Sequence, residues 1–219
     1  MSKKLIFFQK LSFLDNFEET CNLFKNKSIE KKSFFDKLVK KGLYDGTIKV
    51  IKSYSLINKS LSLSLGKSSF FDLIFSKEKN LLVCPALAVN AILEVDDCLI
   101  FIKRKKEFYS CPGYFDFPAG LVPIRKSILE RLENRIEEEV GLSKREIEIK
   151  ENFNFAILFE KEAFNLFFRV KCKKTKEEVE KLFLDNNKGT SPFLLPRKEI
   201  PSFFNKNKKA VFSEILNFI

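Results

Sequence analysis

The sequence predicts a mixed α/β fold from three observations. The 219 residues are 45 % hydrophobic, which suffices for a sizeable buried core. Short apolar runs recur along the chain, and several alternate with polar residues as half-buried strands do. Residues 127–140 carry apolar side chains three and four positions apart, which is typical of an amphipathic helix. We therefore expect a small N-terminal α+β lobe over residues 1–76 and a larger domain over residues 81–219.

The N-terminal lobe is expected to combine short strands and helices. Ser28 can cap a helix that ends just before Gly42, since serine is a favoured N-cap and glycine a favoured C-terminal stop. Leu61, Leu63 and Leu65 alternate with serines, which indicates a strand. The predicted strands are 4–8, 47–54 and 61–65. The predicted helices are 15–26, the one opened by Ser28, and 68–75, with a linker at 76–80.

The larger domain begins with a buried strand at 81–95, which Asp96-Asp97 turns back into a strand at 98–102. The strong helix that follows is expected to pack through four apolar residues and to end at a glycine: Leu129, Leu132, Ile136, Val140 and Gly141. Thr175 and Glu178 form a capping-box pattern for a later short helix. The remaining predicted elements are strands near 147–159, 164–173 and 192–196 and a closing helix at 206–219.

Composition excludes several classes of chemistry. The chain contains no histidine, so Ser–His–Asp catalysis, Cys–His catalysis and histidine-ligated metal sites are excluded. Its five cysteines are widely spaced and form no C-x-x-C pair, which argues against a disulfide framework and favours a reducing, cytoplasmic compartment. The apolar run at 81–93 is too short to span a bilayer and contains a proline, so we expect no membrane segment.

The charge balance leaves two interpretations open. Lysine and arginine number 40 against 29 acidic residues, a net charge of +11. Only seven of the basic residues are arginine, and the chain is also rich in Phe, Ile and Asn, as an AT-biased coding sequence would produce. The alternative is a selected nucleic-acid surface. In either case the protein attracts polyanions.

The helix at 127–140 presents a charged face beside its apolar one. On a helical wheel, Glu138 and Glu139 lie within about 60° of Arg135. Arg131 shares that face. Neighbouring carboxylates are ligands for hard cations such as Mg²⁺, which bridges phosphates and activates water. The same pattern fits a solvated acidic helix end, and the helix alone leaves both interpretations open.

The order of elements and the residues around this helix resemble the Nudix hydrolase superfamily. The signature of that superfamily is Gly, five residues, Glu, seven residues, then Arg-Glu-apolar-x-Glu-Glu-x-Gly-apolar. Laid on residues 120–142 without a gap, six positions match: Gly120, Ile136, Glu138, Glu139, Gly141 and Leu142. The resemblance implies an α/β/α sandwich and a Mg²⁺-dependent hydrolase, with Glu138 and Glu139 as metal ligands and catalytic residues.

Further segments are similar in order and spacing to the UDP-sugar diphosphatase branch of that superfamily. They are LYDGTIKV at 43–50, LSLSLGKSSFFDL at 61–73, IFIKRKKEFYSCPGYFDFPAG at 100–120 and TSPFLLPRKEI at 190–200. The resemblance implies cleavage of a nucleoside diphosphate sugar, such as UDP-glucose, to a nucleoside monophosphate and a sugar phosphate. It implies a substrate site that includes Lys103, Arg104, Asp116 and Gly120.

Each of these assignments has a structural alternative. Lys103 and Arg104 also fit a solvated lysine-rich loop, and Asp116 also fits a turn or a cap. Tyr114 and Phe115 are placed where a base could stack. In a chain with 26 phenylalanines, core packing is favoured over base stacking for both residues.

Four departures from the family pattern fall on the chemistry. They are Lys126 for the first signature Glu, Arg135 for a metal-binding Glu, Leu121 for a His and Gly189 for an acidic residue. Arg135 precedes Glu138 by three residues and Glu139 by four, so we predict that it pairs with them. A guanidinium can neutralise a diphosphate and thereby bind substrate, but it cannot acidify a water as Mg²⁺ does.

Two functions stay open at this point. The first is a nucleotide-sugar diphosphatase of weak activity that uses Mg²⁺. The second is a catalytically inactive Nudix-fold binding protein that docks on a nucleotide, on RNA or on a ribonucleoprotein. The resemblance and the retained Glu138-Glu139 pair favour the first function. The four substitutions and the net charge of +11 favour the second.

Overall fold

The computed structural model describes residues 3–20, 28–79, 84–105, 112–150, 154–159, 163–185 and 190–207. Within these ranges it contains strands, α-helices and two short 3-10 helices, so the predicted mixed α/β class is confirmed. The strands are β1 Lys3–Phe8, β2 Lys10–Thr20, β3 Thr47–Ile57, β4 Ser60–Ser69, β5 Ala86–Val95, β6 Cys98–Arg104, β7 Phe115–Asp116, β8 Ala119–Leu121, β9 Ile147–Ile149, β10 Asn154–Phe159, β11 Ala163–Cys172 and β12 Thr190–Pro196. The α-helices are α1 Ser28–Lys40, α2 Phe70–Glu78, α3 Ile128–Val140, α4 Lys176–Asp185 and α5 Ile200–Asn207.

The chain forms two compact units that interleave along the sequence. The first comprises Met1–Val89, Leu121–Ile128 and Phe153–Leu166, and the second comprises Asn90–Gly120, Leu129–Asn152 and Phe167–Ile219. The division into lobes at 1–76 and 81–219 stays a prediction.

The first unit is built on strand pairs and two packed helices. Strand β4 pairs with β3 in antiparallel and with β2 in parallel register, and β1 pairs with β10 in antiparallel register. Asn58 and Lys59 both take positive φ in the β3–β4 hairpin turn. Helices α1 and α2 share an apolar cluster of Leu38, Phe71 and Ile74. Helix α1 ends as predicted, with Gly42 at φ +75°.

The second unit holds the strands that follow the predicted Asp96-Asp97 turn. Strand β6 pairs in antiparallel register with the end of β5, with β7 and with β12, so it is central among the described strands of this unit. Strand β9 pairs with β11. The predicted capping box is confirmed, since Thr175 Oγ1 accepts the Glu178 N–H at 3.4 Å and Glu178 accepts the Thr175 N–H at 2.8 Å.

The helix predicted at 15–26 is wrong over its described part. Residues 15–20 belong to strand β2, and Asp15 lies opposite Leu65 of β4. The local helix pattern is short, and the hydrogen bonds to β4 come from a segment about 50 residues away in sequence. Tertiary pairing therefore overrides local propensity here. Residues 21–26 of that predicted helix lie outside the described residues.

Other predicted boundaries differ in smaller ways. The strand near 147–159 is two strands, β9 and β10, and the linker at 76–80 is helical through Glu78. The helix at 68–75 begins later, because Ser69 is its N-cap and its side chain accepts the Asp72 N–H. Residues 206 and 207 of the predicted closing helix form the end of α5. The rest of that predicted helix, 208–219, lies outside the described residues.

The described helices are at most 13 residues long, and none is long and apolar enough to cross a membrane.

Candidate functional site

Helix α3 carries the charged face predicted from the sequence. Leu132, Ile136 and Val140 are fully buried, as predicted, and anchor the helix. Leu129 was expected to join them but is 47 % exposed, and this prediction was wrong. Ile128, one residue earlier, is buried instead. The helix ends at Gly141, which takes φ +85° and donates its N–H to the Glu137 carbonyl.

Arg135 is bound to both candidate metal ligands. Its Nη1 donates to Glu138 Oε2 at 2.7 Å, and its Nη2 donates to Glu139 Oε1. This confirms the predicted pairing across one turn of helix. The geometry is the one expected for a guanidinium at i and carboxylates at i+3 and i+4.

The same side chain also ties the helix to the chain before it. Arg135 Nε donates to the Ala119 carbonyl at 2.6 Å, and the Ala119 N–H donates to Glu139 Oε2 at 3.0 Å. Arg135, Glu139 and the Ala119 backbone thus close a ring of three hydrogen-bonded contacts. We call Arg135, Glu138, Glu139 and the backbone of Ala119 the Arg135 latch. Its inner members are shielded, because the Arg135 side chain is 18 % exposed and that of Glu139 is 6 % exposed.

The latch is electrostatically compensated. Arg131 Nη1 lies 3.7 Å from Glu138 Oε1, so two guanidiniums share the helix face with two carboxylates. Burial lowers the pKa of Arg135, and the neighbouring charge of Arg131 lowers it further, while Glu138 raises it. Burial likewise lowers the pKa of Arg131. An added anion would relieve the repulsion between the two guanidiniums.

The arrangement does not fit a Mg²⁺ ion. Mg²⁺ takes oxygen ligands in near-octahedral geometry, but both oxygens of Glu139 are bound by N–H donors. Glu138 receives the Arg135 Nη1 donor, so a positive charge sits where a third carboxylate would be needed. The described residues contain no group of three or more Cys, Asp or Glu side chains placed to hold a metal ion.

Arg104 and Asp116 form a second, buried ion pair in the same unit. Arg104 ends β6 and donates through Nε to Asp116 Oδ2 at 2.9 Å, with Nη2 on the same oxygen. Asp116 also accepts the Phe117 N–H at 2.8 Å, and its side chain is fully buried. Burial raises the pKa of Asp116, and the charge and hydrogen bonds of Arg104 oppose that rise. The pair holds β7 against β6.

Lys103 is the exposed cation beside this pair. Its Nζ lies 5.7 Å from the centre of the Phe115 ring. The Phe115 ring packs edge-on against Phe193, Phe203 and Phe204, which favours core packing over base stacking for this residue. The Lys103 ammonium is therefore exposed and lies over the Phe115 ring.

Gly120 lies directly beneath the two arginines of α3. A Cβ at this position would sit 2.8 Å from Arg135 Cδ and 2.9 Å from Arg131 Nη2. Three hydrogen bonds fix the Arg135 side chain, so it cannot move aside without opening the latch. A glycine is therefore required here by the close approach.

Replacing Gly120 with alanine is expected to destabilise the protein by about 1–3 kcal/mol, because the added methyl overpacks the latch. Urea unfolding of the variant measures this loss. Gly46→Ala is the control, since a Cβ there meets nothing within 4 Å. Equal unfolding free energies for both variants would contradict the close contact between Gly120 and the arginines.

Seven of the residues singled out from sequence lie in one compact unit. Lys103, Arg104, Asp116, Gly120, Arg135, Glu138 and Glu139 all belong to the second unit. Of the four substituted positions, Arg135 is in the latch, Leu121 and Lys126 belong to the first unit, and Gly189 lies outside the described residues. Their roles in binding or catalysis stay predictions.

Two groups at the site were assigned no function from the sequence. The sequence places Arg131 on the charged helix face, four residues before Arg135, but it was not assigned to the candidate site. The Ala119 backbone gave no signal, because its partners lie 16 and 20 residues later in sequence.

Comparison with known proteins gives one match to a curated sequence. Over 66 residues the chain is 36 % identical to the ADP-ribose pyrophosphatase of Methanocaldococcus jannaschii. The match covers 30 % of this chain and 38 % of that protein, so the chain spans well under half of the relative's length. No family model matches the sequence.

Three solved structures with similar arrangements are distant in sequence from this chain. A Deinococcus radiodurans protein is 14 % identical, with 60 % of this chain and 81 % of that chain covered and a TM-score of 0.45. The C. elegans Ap4A hydrolase in a binary complex is 12 % identical, with coverages of 59 % and 90 % and a TM-score of 0.44. The Bacillus subtilis pyrophosphohydrolase is 16 % identical, with coverages of 60 % and 73 % and a TM-score of 0.42.

Proposed function

We propose that this chain is a Nudix-family protein, related to nucleoside diphosphate sugar diphosphatases, that binds a nucleoside diphosphate compound and has lost most or all of its Mg²⁺-dependent hydrolysis. The observation that carries the proposal is the Arg135 latch. A single guanidinium is bonded to both carboxylates that the family signature assigns to the metal.

The family assignment is supported by two lines of sequence similarity. Residues 120–142 resemble the Nudix signature at six positions without a gap. The partial match to an ADP-ribose pyrophosphatase is 36 % identical over 66 residues. ADP-ribose and UDP-glucose share a diphosphate between two organic groups, so a diphosphate is the common feature that a related site would recognise.

Loss of hydrolysis follows from the charge at the latch. Metal-assisted hydrolysis needs carboxylates that hold the cation and a bound water whose pKa is lowered. Arg135 places a positive charge in contact with both carboxylates and so repels a dication from them. A guanidinium has no comparable effect on a water molecule, since it is a hydrogen-bond donor without a vacant coordination site.

Binding of a diphosphate is supported by the cations that remain. Arg135 donates three of its five N–H groups within the latch. The other two donate to none of the described residues and can bind an anion. Lys103 adds an exposed ammonium at the end of β6 in the same unit. Arginine is the side chain best suited to phosphate oxygens, which it meets with paired donors.

Calorimetric titration with UDP-glucose and with ADP-ribose tests the binding function. We expect the dissociation constant to change by less than about twofold between EDTA and Mg²⁺ buffers, because the positive charge comes from the protein. Lys103→Ala should weaken binding several-fold. Lys171→Ala, which removes another exposed strand lysine, is the matched control and should bind as the native protein does. Binding that appears only with Mg²⁺, or equal losses in both variants, would contradict the proposal.

A further inference from the structure

The outward face of helix α1 carries a cluster of lysines without acidic partners. Lys32, Lys37, Lys40 and Lys41 are all exposed, and none forms an ion pair within the described part of the chain. Neighbouring charges elsewhere on α1 are paired, since Lys31 binds Asp72 and Glu30 binds Lys79. The side chains of Lys32, Ser33, Asp36, Lys37 and Lys40 line a shallow groove on this face that is largely open to solvent.

The lysine cluster lies opposite the side of α1 that packs against α2. On the packed side, Leu38 is buried with Phe71 and Ile74, and Phe34 and Phe35 pack against these apolar residues. On a wheel of 100° per residue, Lys32 and Lys40 lie about 40° either side of Asp36, with Lys37 about 100° away. The lysines therefore point away from the core and contribute nothing to its packing.

Helix stability does not explain the whole cluster. Lys37 and Lys40 in the last turn complement the negative end of the helix dipole. Lys32 lies near the first turn, where a positive charge is unfavourable. A cluster that extends from Lys32 to the last residue of the helix suits an extended anion better than it suits the helix.

An exposed aromatic side chain follows the C-terminal end of α1 by four residues. Tyr44 is 88 % exposed, the most exposed of the large hydrophobic residues in the described ranges. It follows a turn in which the Leu43 N–H donates to the Leu38 carbonyl, so the turn is tied to the end of α1. Proteins that bind single-stranded nucleic acid combine cationic side chains for the phosphates with exposed aromatic rings on which bases stack.

We infer that the exposed face of α1 together with Tyr44 binds single-stranded nucleic acid. From Lys32 to Lys40 the helix rises about 12 Å, so its ammonium groups can contact more than one phosphate of a strand. The ammonium groups bind the backbone, and the Tyr44 ring stacks on a base. This surface lies in the first unit and is independent of the proposed diphosphate site, so either function can fail without the other.

Fluorescence anisotropy with labelled oligo(U) and oligo(dT), read over a series of salt concentrations with the full chain, tests the inference. In the triple variant K32A/K37A/K40A we expect affinity at low salt to fall at least about tenfold. The slope of log affinity against log salt should shrink by about 2, since each lost phosphate contact contributes about 0.7 for a single strand. Alanine is the best helix former, so α1 should be retained, and circular dichroism checks this.

The matched control is K171A/K181A/K198A, which removes three exposed lysines elsewhere and the same net charge. It should keep both the affinity and the salt slope.

Two single variants separate stacking from charge. Tyr44→Ala should weaken binding at least about fivefold while Tyr44→Phe retains it, and Asp36→Asn should tighten binding by removing a negative charge from the groove. The relative response to oligo(U) and oligo(dT) distinguishes RNA from DNA as the ligand.

Three outcomes would overturn the inference. The native protein could fail to bind either oligonucleotide at low salt. The two triple variants could lose affinity equally, which would show that only net charge matters. Vesicles of anionic lipid could bind the native protein while the oligonucleotides do not, which would assign this face to a membrane surface.

Discussion

Arg135→Glu is expected to convert the latch from a closed ion-pair ring into a Mg²⁺ site. The variant places three carboxylates on one helical face, which is a ligand set that Mg²⁺ accepts. A unit charge about 6 Å from a dication contributes at most roughly 5 kcal/mol at an effective dielectric of about 20, and the substitution changes the charge by two. Even a fraction of that raises Mg²⁺ affinity by at least about tenfold, which calorimetry measures directly.

The same variant should lose stability when Mg²⁺ is withheld. The substitution breaks the buried pair of Arg135 with Glu139, and breaking a buried pair costs about 3–5 kcal/mol. Urea unfolding should therefore show a large loss in EDTA that added Mg²⁺ partly restores. Arg135→Gln is the control, since it opens the latch without adding a carboxylate and should gain no Mg²⁺ affinity. Equal Mg²⁺ affinity in Arg135→Glu and the native protein would show that this face is not a latent metal site.

Asp116→Asn is expected to cause the second large effect, a loss of about 3–5 kcal/mol in the free energy of unfolding. The substitution keeps the shape of the side chain but removes the buried carboxylate charge that the Arg104 guanidinium, which is 18 % exposed, contacts. Strand β7 has only two residues, so this ion pair is a large part of what attaches it to β6.

An exposed ion pair provides the comparison for Asp116→Asn. Glu148 and Lys150 pair at 2.6 Å, yet both side chains are well exposed. Glu148→Gln should leave the unfolding midpoint almost unchanged, because water solvates both partners. A similar loss of stability in the two variants would mean that burial does not set the strength of the Arg104–Asp116 pair.

Features fixed by neighbours in sequence were predictable. The Leu61, Leu63 and Leu65 alternation located β4, and Asp96-Asp97 and Gly42 located a turn and a helix end. Strand β2 was not predictable in this way, because its hydrogen bonds come from β4, which lies far along the chain. The residues of such a segment show a local helix pattern, and the strand is predictable only when its partner strand is known.

The same distinction holds at the candidate site. The contact of Arg135 with Glu138 and Glu139 follows from helix geometry alone and was predicted. The contacts of the latch with Ala119 and of Arg104 with Asp116 cross 12 to 20 residues, and only the fold brings these groups together. Leu129 was placed inward because it fits the apolar repeat, but Ile128 fills that part of the core.

The central claim is that the Arg135 latch has replaced metal-dependent catalysis. The most direct measurement is analysis of the products formed when the native protein is incubated with UDP-glucose, with and without Mg²⁺. We predict that no UMP forms under either condition, and that Glu138→Gln binds UDP-glucose at least as tightly as the native protein does. Mg²⁺-dependent formation of UMP by the native protein, abolished in Glu138→Gln, would contradict the account and identify the chain as an active diphosphatase.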